Sequence, residues 1–153
     1  MALTRQQLRQ QTIKAQWEAE MHRPPTRKQA RAWVSPLHRA LSSLLQGEVD
    51  SVKGHPVFEI KWAGNPIARI DEALNGFVSL VERMEPGTER TQAIQAVSKK
   101  LYYGIMLTEQ EIYAAIGELS QLEDLIIRFP RKQLMDWVQT EQISCALQAR
   151  GQA

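Results

Sequence analysis

Apolar residues recur along most of the chain at the three- and four-residue spacing of an amphipathic helix. The strongest such pattern follows Asn65-Pro66, where proline would occupy the first position of a helix, and it continues to Met84. Its apolar positions are Ile67, Ile70, Leu74, Phe77, Val78, Val81 and Met84. The pattern predicts a helix that starts at residue 66 and buries this face.

Three more segments beyond residue 88 show the same spacing. Their apolar positions are Ile94, Val97, Leu101 and Ile105 in the first, Ile112, Ala115, Ile116, Leu119, Leu122 and Ile126 in the second, and Leu134, Trp137, Val138 and Cys145 in the third. The second segment follows Thr108 and Glu111, a capping box in which two side chains satisfy backbone donors at a helix start. We therefore expect three helices after residues 88, 108 and 130, each with its apolar face in the core.

Two further capping boxes open the N-terminal half of the chain. Thr4 with Gln7 predicts a helix that ends before Pro24-Pro25, because proline lacks a backbone donor and disfavours helical geometry in the residue before it. Thr26 with Gln29 predicts a second helix, kinked or divided at Pro36. The apolar face of this second helix consists of Ala30, Trp33, Val34, Leu37, Leu41 and Leu44.

Residues 54–64 alone resist a helical interpretation. Apolar Phe58, Ile60 and Trp62 alternate with Val57, Glu59 and Lys61, and this period of two favours a short strand or an extended loop. The predicted fold is all-α: a compact bundle of about five helices over residues 26–150, an N-terminal basic helical arm over residues 1–25, and at most one short β element near 57–62.

The composition fits one domain with an appendage. The chain has 153 residues, of which 43% are hydrophobic and 24% charged, as is usual for a globular protein. Its single cysteine, Cys145, excludes an intrachain disulfide and favours a cytoplasmic location. The apolar runs are far shorter than the ~20 residues that span a bilayer, so we expect no membrane partner.

Positive charge is concentrated in residues 1–40, which carry eight basic and two acidic side chains. The basic strip consists of Arg5, Arg9, Lys14, Arg23, Arg27, Lys28, Arg31 and Arg39. Residues 108–124 contain no Lys or Arg, and their acidic surface consists of Glu109, Glu111, Glu118, Glu123 and Asp124. Either the basic strip binds an external partner, or it folds onto this acidic surface of its own bundle.

The first helix has two weak apolar stripes instead of one broad face. Leu8 lies on one stripe, and Ile13 and Trp17 lie on the other. Such a helix gains little from packing on a single surface and suits insertion between two partners. These three side chains are therefore candidate partner contacts, and a homo-oligomer formed through this helix is one expectation.

No catalytic or cofactor motif is evident in the sequence. The three histidines, His22, His38 and His55, lack the spacing of a helical metal site, and there is no phosphate-binding loop or dinucleotide fingerprint. We expect no enzyme activity, no cofactor and no metal. Glu123 projects onto an apolar face. It is therefore either solvent-exposed where that face ends or a buried acid, either functional or paired in a salt bridge.

The sequence thus favours a small non-enzymatic protein-interaction module, such as an adaptor, an inhibitor or an assembly factor. It would act through helix faces, the acidic surface and the basic arm. A helix-turn-helix over Glu109–Ile126 is rejected, because its acidic side chains would face a polyanion. The alternative is a nucleic-acid-binding regulatory protein that uses residues 5–39, with Trp17 and Trp33 available to stack on bases.

Overall fold

The computed structural model describes residues 2–59 and 67–140 and confirms a mainly helical fold with a small antiparallel sheet. The helices are α1 (Arg5–Met21), α2 (Arg27–Gln46), α3 (Ile70–Met84), α4 (Gln92–Tyr103), α5 (Glu109–Ile126) and α6 (131–140). All three predicted capping boxes form, and α2 continues through Pro36 as a single helix.

The sheet has three strands in the order β1 (Asp50–Val52), β2 (His55–Phe58) and β3 (Ala68–Arg69). Both pairings are antiparallel, and Val57 lies opposite Asp50 on one side and Arg69 on the other. The predicted β element is thus present at Val57 and Phe58, and it pairs within the chain. Its remaining predicted residues, 60–62, lie outside the described residues.

The start of α3 differs from the prediction. Ala68 and Arg69 pair with Phe58 and Val57 in the sheet, so α3 begins only at Ile70. Ile67 therefore lies before the helix and is exposed, although its spacing predicted a buried position. The proposed helix start at Asn65-Pro66 lies outside the described residues.

The core is formed by α2, α3, α4 and α5, with Leu134 of α6 added to it. Helix α2 packs against α5, and α4 packs between α3 and α5. The largest fully buried apolar side chains are Leu41, Ile70, Leu74, Ile94, Leu119, Leu122, Leu134, Val34, Val81 and Val97. Most of the predicted stripes thus face the core.

Some positions on those stripes are less buried than predicted. Helix α4 ends at Gly104, whose φ of 68° is left-handed, so Ile105 lies past the helix and is exposed. Trp33 is also exposed, whereas Ile116 and Val138 are half-buried. Cys145, predicted to be buried, lies outside the described residues.

Candidate interaction surface

Helix α1 contributes no buried residue to the fold. Ile13 is 64% exposed and Trp17 is 59% exposed, and Leu8 is exposed as well. Ile13, Trp17 and Met21 follow one another at four-residue spacing, so they form one ridge along the helix. The structure thus leaves the predicted apolar contacts of the arm on the surface.

The C-terminal end of α1 is attached to the bundle through Arg131. The Arg131 backbone N–H donates to the Arg23 carbonyl at 3.1 Å, and its Nη1 donates to the Glu20 carbonyl at 3.3 Å. Its Nη2 donates to Gln29 Oε1. A helix leaves its last carbonyls without internal partners, and these contacts fix the base of the arm while its side chains remain exposed.

The basic strip is divided between two environments. Arg27 Nη1 lies 2.7 Å from Asp124 Oδ1, and Arg31 Nε lies 3.6 Å from Glu123 Oε2. These two arginines therefore fold onto α5, as the internal interpretation of the charge asymmetry predicted. The other members of the strip are also exposed residues: Arg5, Arg9, Lys14, Arg23, Lys28 and Arg39.

Most of the predicted acidic surface serves the fold itself. Glu123 is only 6% exposed, so it does not belong to a surface; it is the buried partner of Arg31. Glu118 Oε1 accepts a hydrogen bond of 2.8 Å from the Ile94 backbone N–H and thereby caps α4. Glu109 is exposed at the start of α5.

Glu111 belongs to the capping box of α5 and also forms an ion pair with Lys100. The hydrogen bond from Lys100, reinforced by the Thr108 backbone N–H, lowers the pKa of Glu111 from its ordinary value. This carboxylate therefore joins the end of α4 to the start of α5.

A shallow groove of about 380 Å³ lies between α2 and α5, lined by Arg31, Ser35, His38, Ser120 and Glu123. Ser120 Oγ lies 3.1 Å from His38 Nε2 and also donates to the Ile116 carbonyl at 3.2 Å. Which of the two groups donates in the contact between the hydroxyl and the imidazole depends on the tautomer of His38.

An exposed apolar cluster near the end of α4 was not predicted from the sequence. Met106 is 89% exposed, and Tyr102, Tyr103 and Ile105, which lie within four residues of it, are exposed as well; Tyr113, near the start of α5, is also exposed. We call these residues the tyrosine patch. Tyrosine and methionine are enriched in the cores of protein interfaces, and large apolar side chains exposed together mark interaction sites.

Contacts with the sheet and with a neighbouring ring hold Tyr102 in place. The Arg69 guanidinium lies 5.9 Å from the centre of the Tyr102 ring. The His55 ring stacks on the Tyr102 ring with 6.4 Å between the ring centroids. Tyr103 meets Tyr102 edge-on at a centroid distance of 5.0 Å. The two tyrosines are therefore exposed and yet in contact with neighbouring side chains.

A buried carboxylate fixes Arg69 in turn. Asp71 is 1% exposed, and its two oxygens accept hydrogen bonds from Arg69 Nε at 3.0 Å and Nη2 at 2.6 Å. This pairing raises the pKa of Arg69 above its ordinary value. The pairing of Asp71 with Arg69 was not predicted from the sequence, because Arg69 belongs to the sheet and not to the helix.

Two sequence signals could have indicated the patch. Gly104 interrupts the apolar stripe between Leu101 and Ile105, and glycine commonly ends a helix, which places Ile105 and Met106 beyond α4. Tyr102 and Tyr103 are adjacent to Leu101, and consecutive helical residues are about 100° apart, so all three cannot face one core.

Within residues 2–59 and 67–140, no group of three or more His, Cys, Asp or Glu side chains is arranged to hold a metal ion. No helix in the same described part of the chain is long and apolar enough to cross a membrane. Comparison of the chain with models of known protein families, with curated proteins and with solved structures gave no match in any of the three.

Proposed function

We propose that the protein is a small non-enzymatic protein-interaction module of the cytoplasm, an adaptor, inhibitor or assembly factor, that binds through the tyrosine patch and α1. The observation that carries this proposal is the tyrosine patch, where Met106 is 89% exposed beside exposed tyrosines. Aromatic side chains dominate binding energy where they fill pockets on a partner. The acidic surface, by contrast, is mostly used within the fold.

The order of the patch supports the same conclusion. Tyr102 is held by Arg69 and His55, and Arg69 is held by the buried Asp71. A side chain that is already ordered loses less conformational entropy when a partner binds. These contacts support the proposal that the patch is a prearranged binding surface.

A photo-crosslinking amino acid placed at Met106 tests the proposal. We expect it to form a defined, protease-sensitive adduct with a protein, because Met106 is the most exposed residue of the patch. The control is the same group at Val52, an exposed apolar residue of β1. Equal adducts at both positions, or a nuclease-sensitive adduct at 106, would contradict a protein-binding role.

The alternative proposal is a nucleic-acid-binding regulatory protein that uses the basic strip. It is supported by the exposed side chains Arg5, Arg9 and Lys14 on α1, with Trp17 beside them. It is weakened by the internal pairs of Arg27 and Arg31. The favoured proposal predicts only weak, non-specific binding to nucleic acid, with a Kd of roughly 10⁻⁴–10⁻⁶ M at physiological salt.

A salt-dependent binding assay against duplex and single-stranded nucleic acid separates the two proposals. The variant in which Arg5, Arg9 and Lys14 are all changed to Gln is compared with the unchanged chain. If these side chains contact phosphates, binding to duplex weakens, and the slope of log K against log salt falls by about 0.9 for each lost contact. An unchanged slope contradicts the nucleic-acid proposal.

A further inference from the structure

We propose that α1 of one copy docks on the tyrosine patch of a second copy, so that two chains exchange their arms in a symmetric dimer. This inference rests on the proposed protein-interaction function and names the partner as the chain itself. It joins two exposed apolar surfaces that the described fold leaves uncovered, the Ile13–Trp17 ridge and the patch around Met106.

The arm requires a covering surface because of its length and polarity. It is a helix of 17 residues without a buried side chain, and most helical stability in proteins comes from the packing of an apolar face on another surface. Arg131 holds only its C-terminal end. Packing of Ile13 and Trp17 against another surface supplies the missing stabilisation.

The arm of the same chain does not cover the patch. The Arg131 contacts to Glu20 and Arg23 place the end of α1 beside α6, and in this position the patch residues remain exposed. An arm from another copy is free of that constraint. On a second chain, α1 can therefore cover the patch of the first chain, and the patch can cover α1 of the first chain.

The exposed side of α5 has room for an approaching helix. Tyr113, Ala114 and Gly117 share one helical face and are all exposed, and nothing lies within 4 Å of the position that a Cβ would take on Gly117. Small residues beside a large aromatic allow a bulky side chain such as Trp17 to pack closely against the helix.

Charge complementarity favours the same pairing. Residues 5–14 of the arm contain Arg5, Arg9 and Lys14 and no acid, whereas α5 contains no base and begins with the exposed Glu109. Arg9 lies four residues before Ile13, and Lys14 lies three residues before Trp17. Both basic side chains are therefore next to the apolar ridge. Glu109 lies one turn before Tyr113 and offers an exposed carboxylate at the edge of the patch.

In a two-fold symmetric dimer each arm-to-patch contact occurs twice, because the same surfaces of both chains take part. The mass measured by light scattering or sedimentation equilibrium is then expected to be twice the 17.5 kDa of one chain. A chain that stays monomeric at about 100 μM, a hundredfold above a micromolar Kd, would overturn the proposal.

Two variants remove one side of the contact each. Trp17→Glu alters only the arm and Met106→Glu alters only the patch, and both residues are exposed, so each variant is expected to fold and to become monomeric. Val52→Glu, at an exposed apolar position of β1, is the control and should remain dimeric. Persistence of the dimer in either test variant overturns the arm-to-patch contact.

Mixing the two monomeric variants gives the sharpest test. The Met106→Glu chain keeps an intact arm and the Trp17→Glu chain keeps an intact patch, so the mixture should form a heterodimer with one complete contact. Failure to form it overturns the pairing.

The photo-crosslinker at position 106 distinguishes this inference from the proposed function. An adduct to residues 5–21 of a second copy supports the exchanged arm. If the chain is monomeric and the crosslinker captures a different protein, the dimer is wrong and the interaction function stands. If it captures no protein, both are wrong.

Discussion

The Arg69–Asp71 pair connects the sheet to α3. Arg69 pairs with Val57 in the sheet, and its guanidinium donates hydrogen bonds to both oxygens of the buried Asp71, which lies in the first turn of α3. The buried charge of Asp71 is therefore paired.

The capping threonines were predicted correctly because a capping box involves only residues three positions apart, whereas the position of Glu123 was predicted only in part. Helical spacing correctly placed it on the apolar face of α5, but its burial and its pairing with Arg31 arise from the packing of α2 against α5. Local spacing predicts the direction of a side chain, and only the tertiary fold decides what covers it.

Asp71→Asn should destabilise the protein strongly. Loss of one partner from a buried ion pair costs roughly 3–5 kcal/mol, and we expect the low end, because the Arg69 side chain is 25% exposed. The measurement is urea unfolding. Glu72→Gln is the control, since its ion pair with Arg69 is at the surface and is worth at most about 1 kcal/mol; equal losses in both variants would contradict this account.

Glu111 should make stability depend on acid pH. Its folded pKa is lowered, so its stabilising effect is complete above its unfolded pKa and is lost as the pH falls through the folded value. The difference in Tm between the unchanged chain and Glu111→Gln, in which Gln can still form the capping box, should narrow from pH 7 to pH 3. When Lys100 is also changed to Gln, the Tm difference caused by Glu111→Gln should depend less on pH. An equal dependence on pH would exclude Lys100 as the cause.

At the scale of elements, helices were predictable and the sheet was only partly so. Helical stripes span many residues and carry their own start and stop signals. Strand β1 has three residues, all exposed, and β3 has two, which is too short for an alternating pattern. The sheet therefore depends on pairing with β2. This pairing also explains why α3 begins at Ile70 and not at residue 66 as predicted.

Leu119→Ala tests the predicted packing of α5. Leu119 is fully buried, so the substitution should cost roughly 2–5 kcal/mol through lost transfer free energy and a cavity. The urea midpoint measures this loss. Tyr113→Ala, on the exposed face of the same helix, is the control and should shift the midpoint much less. An unchanged midpoint for Leu119→Ala would contradict the packing of this face.

For the whole molecule, the sequence indicated the arm but not the surface that we propose it binds. Pro24-Pro25 and the two weak stripes marked α1 as separate, and the division into residues 1–25 and 26–150 remains a prediction. The tyrosine patch was not predicted because Ile105 fits the apolar spacing of α4. Only the helix end at Gly104 places Ile105 outside the apolar face of α4.

Removal of residues 1–22 should leave the bundle stable. No side chain of α1 is buried, and a chain that starts at Arg23 keeps the carbonyl that accepts from Arg131. We expect Tm to fall by less than about 5 °C, equivalent to roughly 1–2 kcal/mol, while self-association is lost. Circular dichroism measures Tm, and a much larger fall in Tm would show that the arm stabilises its own bundle.

The contact of α2 with α5 has a consequence for the order of folding. Helices α3, α4 and α5 pack with their neighbours in sequence, whereas α2 packs on α5 across the sheet and two helices. Closing that long loop carries an entropy cost, and distant contacts slow folding, so we expect α2 to dock after the transition state. In stopped-flow chevrons, Leu41→Ala in α2 should then mainly accelerate unfolding, whereas Ile94→Val in α4 should mainly slow folding.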